Sequence, residues 1–177
     1  HKSNSLLIDA TNRLSTHDVV HVSQIPYKGE VLTALTIFWI TELLRKTSIL
    51  GIHDHLSAYG QSIYKHLPGN RDDYPDNLHH RAIIVQKLQM RLVEFVIRGY
   101  LAGSLYKKYY AKGLVNPYGI EIARGLPIMT PFEPPILTPT EKSDTDDPLK
   151  TRDIQMLYQE ECFVVEQVFI LVRDYLR

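Results

Sequence analysis

Ala82-Ile83-Ile84-Val85-Gln86-Lys87-Leu88 and Leu92-Val93-Glu94-Phe95-Val96-Ile97 are two β-rich runs separated by a few residues. Short runs of this composition, set so close together, predict an antiparallel hairpin. A parallel pair would need a crossover of about a dozen residues or more. Glu94 interrupts the second run, where a carboxylate either lies on a wet face or belongs to a site.

Toward the N-terminus, Ser5 to Asp9 reads as a short buried strand. Ala10 to Asp18 is polar and turn-like, Val19 to Val22 is a second short strand, and Ile25 to Glu30 is a loop. From Val31 the period changes. Leu32, Leu35, Trp39 and Leu43, widened by Phe38 and Leu44, predict an amphipathic helix to about Lys46. Tyr59 to His80 is punctuated by Pro68-Gly69 and Pro75 and reads as loop with room for a short strand. Beyond the central runs, Ser104 to Lys112 is a short helix candidate that Ser104 could cap. Leu126 to Pro139 holds five prolines, which excludes a helix or a central strand and predicts a rigid extended loop. From Arg152 a long helix begins, with Ile154, Leu157, Val165, Phe169, Val172 and Leu176 on its apolar side and Cys162 close by. Short β-runs with segregated helices predict an α+β fold with antiparallel sheet.

The residue balance narrows the function. Hydrophobic residues make up 44% of the chain, which is enough to build a core. Twenty basic residues offset twenty acidic ones, so no global field draws in nucleic acid or membrane. The same balance gives little colloidal repulsion against self-association. Cys162 is the single cysteine, which excludes an internal disulfide and a thiolate metal cluster. Its neighbours Phe163, Val164 and Val165 read as core. No apolar run reaches the roughly 18 residues that a membrane span needs. The first residues carry no signal-peptide core followed by a cleavage site. The expected location is cytoplasmic.

No phosphate-loop or dinucleotide fingerprint is present. His53 with His55, and His79 with His80, lack the helical spacing of a zinc site. The strongest cluster is Arg98-Gly99-Tyr100-Leu101-Ala102-Gly103-Ser104. A strand-end arginine, a glycine-bracketed turn and a serine at a helix start could together hold a phosphate, or could simply join strand to helix. Pro26-Tyr27-Lys28-Gly29-Glu30 offers Lys28 as an anion ligand or as a solvated loop cation. Lys142-Ser143-Asp144-Thr145-Asp146-Asp147-Pro148 is either a solvated turn or a site for magnesium or an amine.

Four stretches, in this order and spacing, resemble SAICAR synthetase. Asp9-Ala10-Thr11-Asn12-Arg13-Leu14-Ser15-Thr16-His17-Asp18-Val19 is similar to the family's T-D-R-I-S-A-F-D-V segment. Ile25-Pro26-Tyr27-Lys28-Gly29-Glu30-Val31-Leu32-Thr33 is similar to I-P-x-K-G-x-V-L-T. Val93 to Ser104 is similar to V-E-x-V-V-R-G-Y-x-x-G-S. Phe132-Glu133-Pro134-Pro135-Ile136-Leu137-Thr138-Pro139 is similar to the stretch before the family's lysine and acidic turn. The likeness covers roughly residues 5 to 175.

The resemblance implies a two-lobed α+β fold. Residues 1–88 would fall mostly in a smaller nucleotide-covering lobe and residues 89–177 in a larger substrate lobe. It implies ATP- and magnesium-dependent ligation of L-aspartate to carboxyaminoimidazole ribonucleotide through an acyl phosphate, in de novo purine biosynthesis, by a homo-oligomer. Carried over residue by residue, Arg98 and Ser104 match positions that hold the ribonucleotide phosphate, and Glu94 matches a substrate-contacting carboxylate. Asp18 matches a substrate-binding cleft position, and Lys28, Lys142 and Asp147 match catalytic ones. Val85, Lys87 and Leu88 match the strand end that meets the adenine ring. Metal ligands are not assigned. Two positions depart from the pattern: Asn12 stands where Asp is usual, and Asp146 stands where His is usual. The family's G-K-x-R loop, its D-T-K-F-E segment and its later D-E segment have no counterpart in these residues. A fragment of the ligase is therefore expected, or a shortened non-catalytic homologue that binds nucleotide or a partner.

Overall fold

The computed structural model describes residues 4–16, 19–45, 53–113 and 116–176, apart from the side chains of Leu43 and Leu44. Two compact units divide them, residues 1–89 and 90–177. Both combine short antiparallel strands with helices, an α+β architecture.

The first unit is built on strand β5 (Ala82–Gln86). Four of its five residues are buried, and backbone N–H and C=O groups shut away from water on both edges need partners. It has them: β1 (Ser5–Asp9) on one side and β4 (Leu56–Tyr59) on the other, both antiparallel. Ile83 and Val85 point to one face and pack with Ile37, Ile40 and Leu56. Ala82 and Ile84 point to the other and pack with Ala58, Ile63 and Leu78. The expected hairpin between residues 82–88 and 92–97 does not form. Strand β6 (Val93–Glu94) and strand β7 (Ile97–Tyr100) lie in the second unit and pair elsewhere.

Helix α1 (Lys28–Phe38) starts three residues earlier than expected and continues as a wider π-wound turn over Trp39–Leu44. Its inward positions are Gly29, Thr33, Ile37 and Ile40, spaced by three or four. Leu32 and Leu35, expected to face the core, are 44% and 49% exposed. The core stripe is therefore displaced around the helix from the leucine stripe, because small Gly29 and Thr33 let the helix approach its support closely. Lys46, where the helix was expected to end, lies outside the described residues. The segment read as turn-like contains strand β2 (Arg13–Thr16), which pairs with β3 (Val19–Gln24). The segment read as loop contains two 3-10 turns, Gly60–His66 and Arg71–Asp73, and a short helix α2 (Leu78–Arg81).

This layer carries a pH-sensitive joint. The Tyr64 hydroxyl lies 3.3 Å from His79 Nδ1, the Arg71 guanidinium sits 4.4 Å above the Tyr64 ring, and the His80 ring lies tilted against His79 at 3.9 Å. Burial, then His80, then Arg71 hold the His79 imidazole below its ordinary 6.5, with Asp76 opposing them. The folded state therefore binds a proton at His79 less readily than the unfolded chain, which takes one up as pH falls through about 6.5. Stability that is present above that value is lost on acidification. Thermal melts should show a lower midpoint at pH 5 than at pH 7.5, and His79→Phe should flatten that difference. An unchanged slope in the variant would assign the acid sensitivity to other groups.

In the second unit, β7 pairs with β8 (Pro131–Leu137), and β6 pairs with β9 (Thr140–Glu141). The proline-rich stretch is thus partly strand. A two-stranded sheet leaves one edge of β8 free, and the missing proline N–H groups cost nothing there. The register shifts between Arg98 and Tyr100, so Gly99 sits at an irregularity. A side chain on Gly99 would come within 3.0 Å of the Phe169 ring. The long C-terminal helix is two helices, α3 (Thr151–Leu157) and α4 (Gln159–Tyr175), broken at Tyr158. The Tyr158 ring meets Phe95 edge to face. Leu137, Ile154 and Cys162 form the core between helix and strands. Cys162 is buried as expected, which raises its thiol pKa. Leu157 and Leu176, read as core-facing, point outward instead. No described helix is long and apolar enough to cross a membrane.

Candidate functional site

Two of the sequence motifs meet in the first unit. The Gly29 amide donates to Asn12 Oδ1 at 3.0 Å, and the Ile25 amide donates to the Asn12 carbonyl at 2.9 Å. The position where the resemblance expects Asp needs a side-chain acceptor, and the asparagine carbonyl supplies one. Lys28 Nζ donates to the Arg13 carbonyl at 3.0 Å. Among the described residues it makes no ion pair. An ammonium carries three donors, so two remain for an anion. Asp18 lies outside the described residues.

The strand end proposed for a nucleotide ring is mixed in character. Val85 is 2% exposed and its side chain belongs to the core. The Lys87 amide donates to the Asn4 carbonyl at 2.9 Å. Only the Leu88 side chain and the Lys87 side chain are open to a ligand.

In the second unit, β6 and β9 bring Glu94 beside Lys142. The pairing places Glu94 opposite Thr140, and Lys142 Nζ reaches Glu94 Oε1 at 2.5 Å. Their mutual hydrogen bond lowers the Glu94 pKa and raises that of Lys142. Both are about half exposed, so the pair is a reversible surface contact rather than a structural anchor. Asp147 closes the following turn. Its Oδ2 accepts from Thr145 Oγ1 at 2.9 Å, and its carbonyl accepts from the Glu141 amide at 2.8 Å. Asp146 adopts φ 49 in that turn. Asp and His both tolerate this left-handed conformation better than most residues, so the departure at this position keeps the backbone shape.

Arg98 lies on β7 opposite Ile136. Gly103 adopts φ 60, and this turn brings Ser104 back toward the strand. Arg98 Nη2 donates to Ser104 Oγ at 3.1 Å, and Arg98 Nε donates to Thr138 Oγ1 at 2.8 Å. Burial raises the Tyr118 phenol above its ordinary range, while the nearby Arg98 guanidinium pulls it the other way. Among the described residues no carboxylate pairs with Arg98. Glu94, four residues before Arg98, is paired with Lys142 instead. Ser104 does not cap a helix; its hydroxyl serves Arg98, and the following residues wind as a short π turn, Leu105–Tyr109. A half-buried cation held only by neutral hydroxyls keeps its charge for an anion.

Thr138 and Tyr118 are the neighbours that sequence reasoning missed. Thr138 stood in a quoted motif, but a threonine before a proline carries no signal of its own. Tyr118 lies far from Arg98 in sequence, and only the fold joins them. No described group of three acidic, histidine or cysteine side chains could hold a metal. A separate hollow in this unit, lined by Tyr109, Tyr110, Asn116, Ile120 and Arg124, contains none of the residues singled out from sequence.

A family model described as SAICAR synthetase matches residues 1–176. A phosphoribosylaminoimidazole-succinocarboxamide synthase of Cyberlindnera jadinii is 35% identical over 145 residues, covering 79% of this chain and 44% of that protein. One of Actinobacillus succinogenes is 34% identical over 170 residues, covering 96% of this chain and 54% of that protein. The solved structure of SAICAR synthase from Saccharomyces cerevisiae, complexed with SAICAR, superposes with a TM-score of 0.76 at 28% identity. The match covers 97% of this chain and 57% of that one. The chain therefore spans about half the length of the curated relatives it matches.

Proposed function

The chain belongs to the SAICAR synthetase family, and from that premise we propose that it works in ATP-dependent joining of L-aspartate to carboxyaminoimidazole ribonucleotide, in de novo purine biosynthesis. The observation that carries this reading is Arg98, a cation without an acidic partner among the described residues, steadied by Ser104 and Thr138. It suits the 5′-phosphate of the ribonucleotide, because a guanidinium and a phosphate meet through two parallel hydrogen bonds.

The chemistry follows from the substrates. An imidazole carboxylate is a poor acyl donor. Its oxygen attacks the terminal phosphoryl group of ATP, ADP leaves, and an acyl phosphate results. The aspartate amine then attacks the carbonyl carbon, inorganic phosphate leaves, and the nitrogen gives up a proton. Glu94 and Lys142 are assigned to this second stage. Their contact is exposed enough to open, which leaves Lys142 to offset carboxylate charge and Glu94 to face the substrate. Lys28, with two free donors, is assigned to charge on the transferring phosphoryl; Asp147 is assigned a catalytic role, and Asp18 substrate positioning. Leu88 and Lys87 are assigned to ATP. Magnesium offsets phosphate charge when bound. The described residues bring no ligand set together for it. A cytoplasmic homo-oligomer is part of the same proposal.

The test is incubation with ATP, magnesium, the carboxylated ribonucleotide and aspartate. Product and ADP should form in equal amounts; omission of ATP, magnesium or the ribonucleotide should abolish both, and omission of aspartate should abolish the product. Ribonucleotide binding without turnover would support the non-catalytic reading. Absence of binding as well as turnover would overturn the proposal.

A further inference from the structure

We infer that Thr138 is a positioning residue that fixes the plane of the Arg98 guanidinium toward a phosphate monoester. The inference rests on the assignment of Arg98 to the ribonucleotide phosphate and adds a residue to it.

Thr138 is fully buried, so its hydroxyl touches no solvent and no ligand directly. Its Oγ1 lies 3.3 Å from the Val96 carbonyl, which also accepts the Thr138 amide at 2.9 Å. A hydroxyl has one proton. Once that proton is directed at Val96, an oxygen lone pair is left facing Arg98 Nε, which donates to it at 2.8 Å. The hydrogen-bond sense is therefore set by the backbone. Pro139, also fully buried, follows immediately and restricts the Thr138 backbone. The β-branch restricts its χ1.

The consequence falls on Arg98. Its guanidinium is planar, so fixing Nε fixes the directions of both terminal nitrogens. Ser104 takes one N–H of Nη2, and Nη1 lies 3.5 Å from where a Cβ of Gly103 would stand. The turn thus leaves room beside the guanidinium edge. Thr138 and Ser104 are neutral, as is the Tyr118 hydroxyl beside the guanidinium. An aspartate or glutamate in place of Thr138 would hold the arginine equally well but would cancel the charge that recruits an anion. A buried hydroxyl orients the cation and leaves its charge intact, which is the preorganisation that phosphate recognition requires.

The experiment compares Thr138→Val, Thr138→Ser and Arg98→Ala in the full chain, each first shown to be folded by its thermal transition. Binding of the carboxylated ribonucleotide is measured by calorimetry. The Arg98 Nε–H resonance is followed by NMR without ligand. Thr138→Val should bind about ten-fold more weakly, and its Nε–H should exchange rapidly with water. Thr138→Ser should restore both. Should Thr138→Val fail to fold, Thr138→Cys replaces it, keeping a small side chain with a weak acceptor. Full affinity and an unchanged Nε–H in a folded variant lacking the hydroxyl would overturn the inference. In that case a strong loss in Arg98→Ala would leave the phosphate assignment standing. No loss in either variant would overturn both.

Discussion

Gly29→Ala should destabilise the first unit by about 3 kcal/mol or more, one of the largest single-atom effects expected in this chain. A β-carbon there would stand 2.1 Å from the Ala10 carbonyl oxygen and 2.8 Å from its carbon. Those are backbone atoms just past the end of β1, where the Ala10 amide is held by the Arg81 carbonyl at 2.9 Å, so neither can swing aside. Separating the two segments would also stretch the hydrogen bond from the Gly29 amide to Asn12, worth roughly 1 kcal/mol. The sign of the prediction is informative. Gly29 lies in a helix and does not have a positive φ, so propensity alone would make alanine stabilising by up to about 1 kcal/mol. Close approach and propensity thus predict opposite outcomes. Gly60→Ala is the control. Its φ is 58 but the space around it is open, and a loss of only about 1–2 kcal/mol is expected. Urea denaturation of the three proteins decides. A Gly29→Ala chain as stable as the parent would mean that α1 does not lie against Ala10 as described.

Arg98→Ala should weaken binding of the carboxylated ribonucleotide about ten- to a hundred-fold, the range of a lost charged hydrogen bond. Folding should suffer less. Thr138 keeps the Val96 carbonyl as a partner, and Ser104 is exposed to water. Arg98→Lys should fall between the two, since it keeps the charge but loses the fork that grips both a hydroxyl and a phosphate. ATP binding should change little in either variant. Loss of folding in Arg98→Ala, with affinity retained in whatever remains folded, would make Arg98 a structural pin for the β7 turn.

The sequence made the fold class legible because short β-rich runs announce themselves by composition. Their partners were not legible. Residues 82–86 and 93–97 adjoin in the chain, yet β5 is enclosed by β1 and β4 while β6 and β7 pair with strands 40 or so residues later. Alternation reports which face of a strand is buried but carries no label for its neighbour. The proline stretch misled for a related reason: proline bars a strand from the middle of a sheet, and β8 has only one partner. On α1 the leucines form the more apolar stripe, but the smallness of Gly29 and Thr33 sets the contact face. Of the phosphate cluster, Arg98, Gly103 and Ser104 were readable because they are consecutive in one motif. Thr138 and Tyr118 were not, since the fold brings them from 40 and 20 residues away. Glu94 and Lys142 were each singled out, but their contact depends on the β6–β9 pairing that no local pattern announces.

The most direct measurement is a cycle with two ligands and two proteins. The carboxylated ribonucleotide and the matching nucleoside without its 5′-phosphate are each titrated into the parent chain and into folded Arg98→Ala. If Arg98 holds the phosphate, the parent should prefer the phosphorylated ligand by at least about ten-fold, and the variant should show almost no preference. An undiminished preference in the variant would contradict the account, because the phosphate would then be recognised elsewhere in the chain.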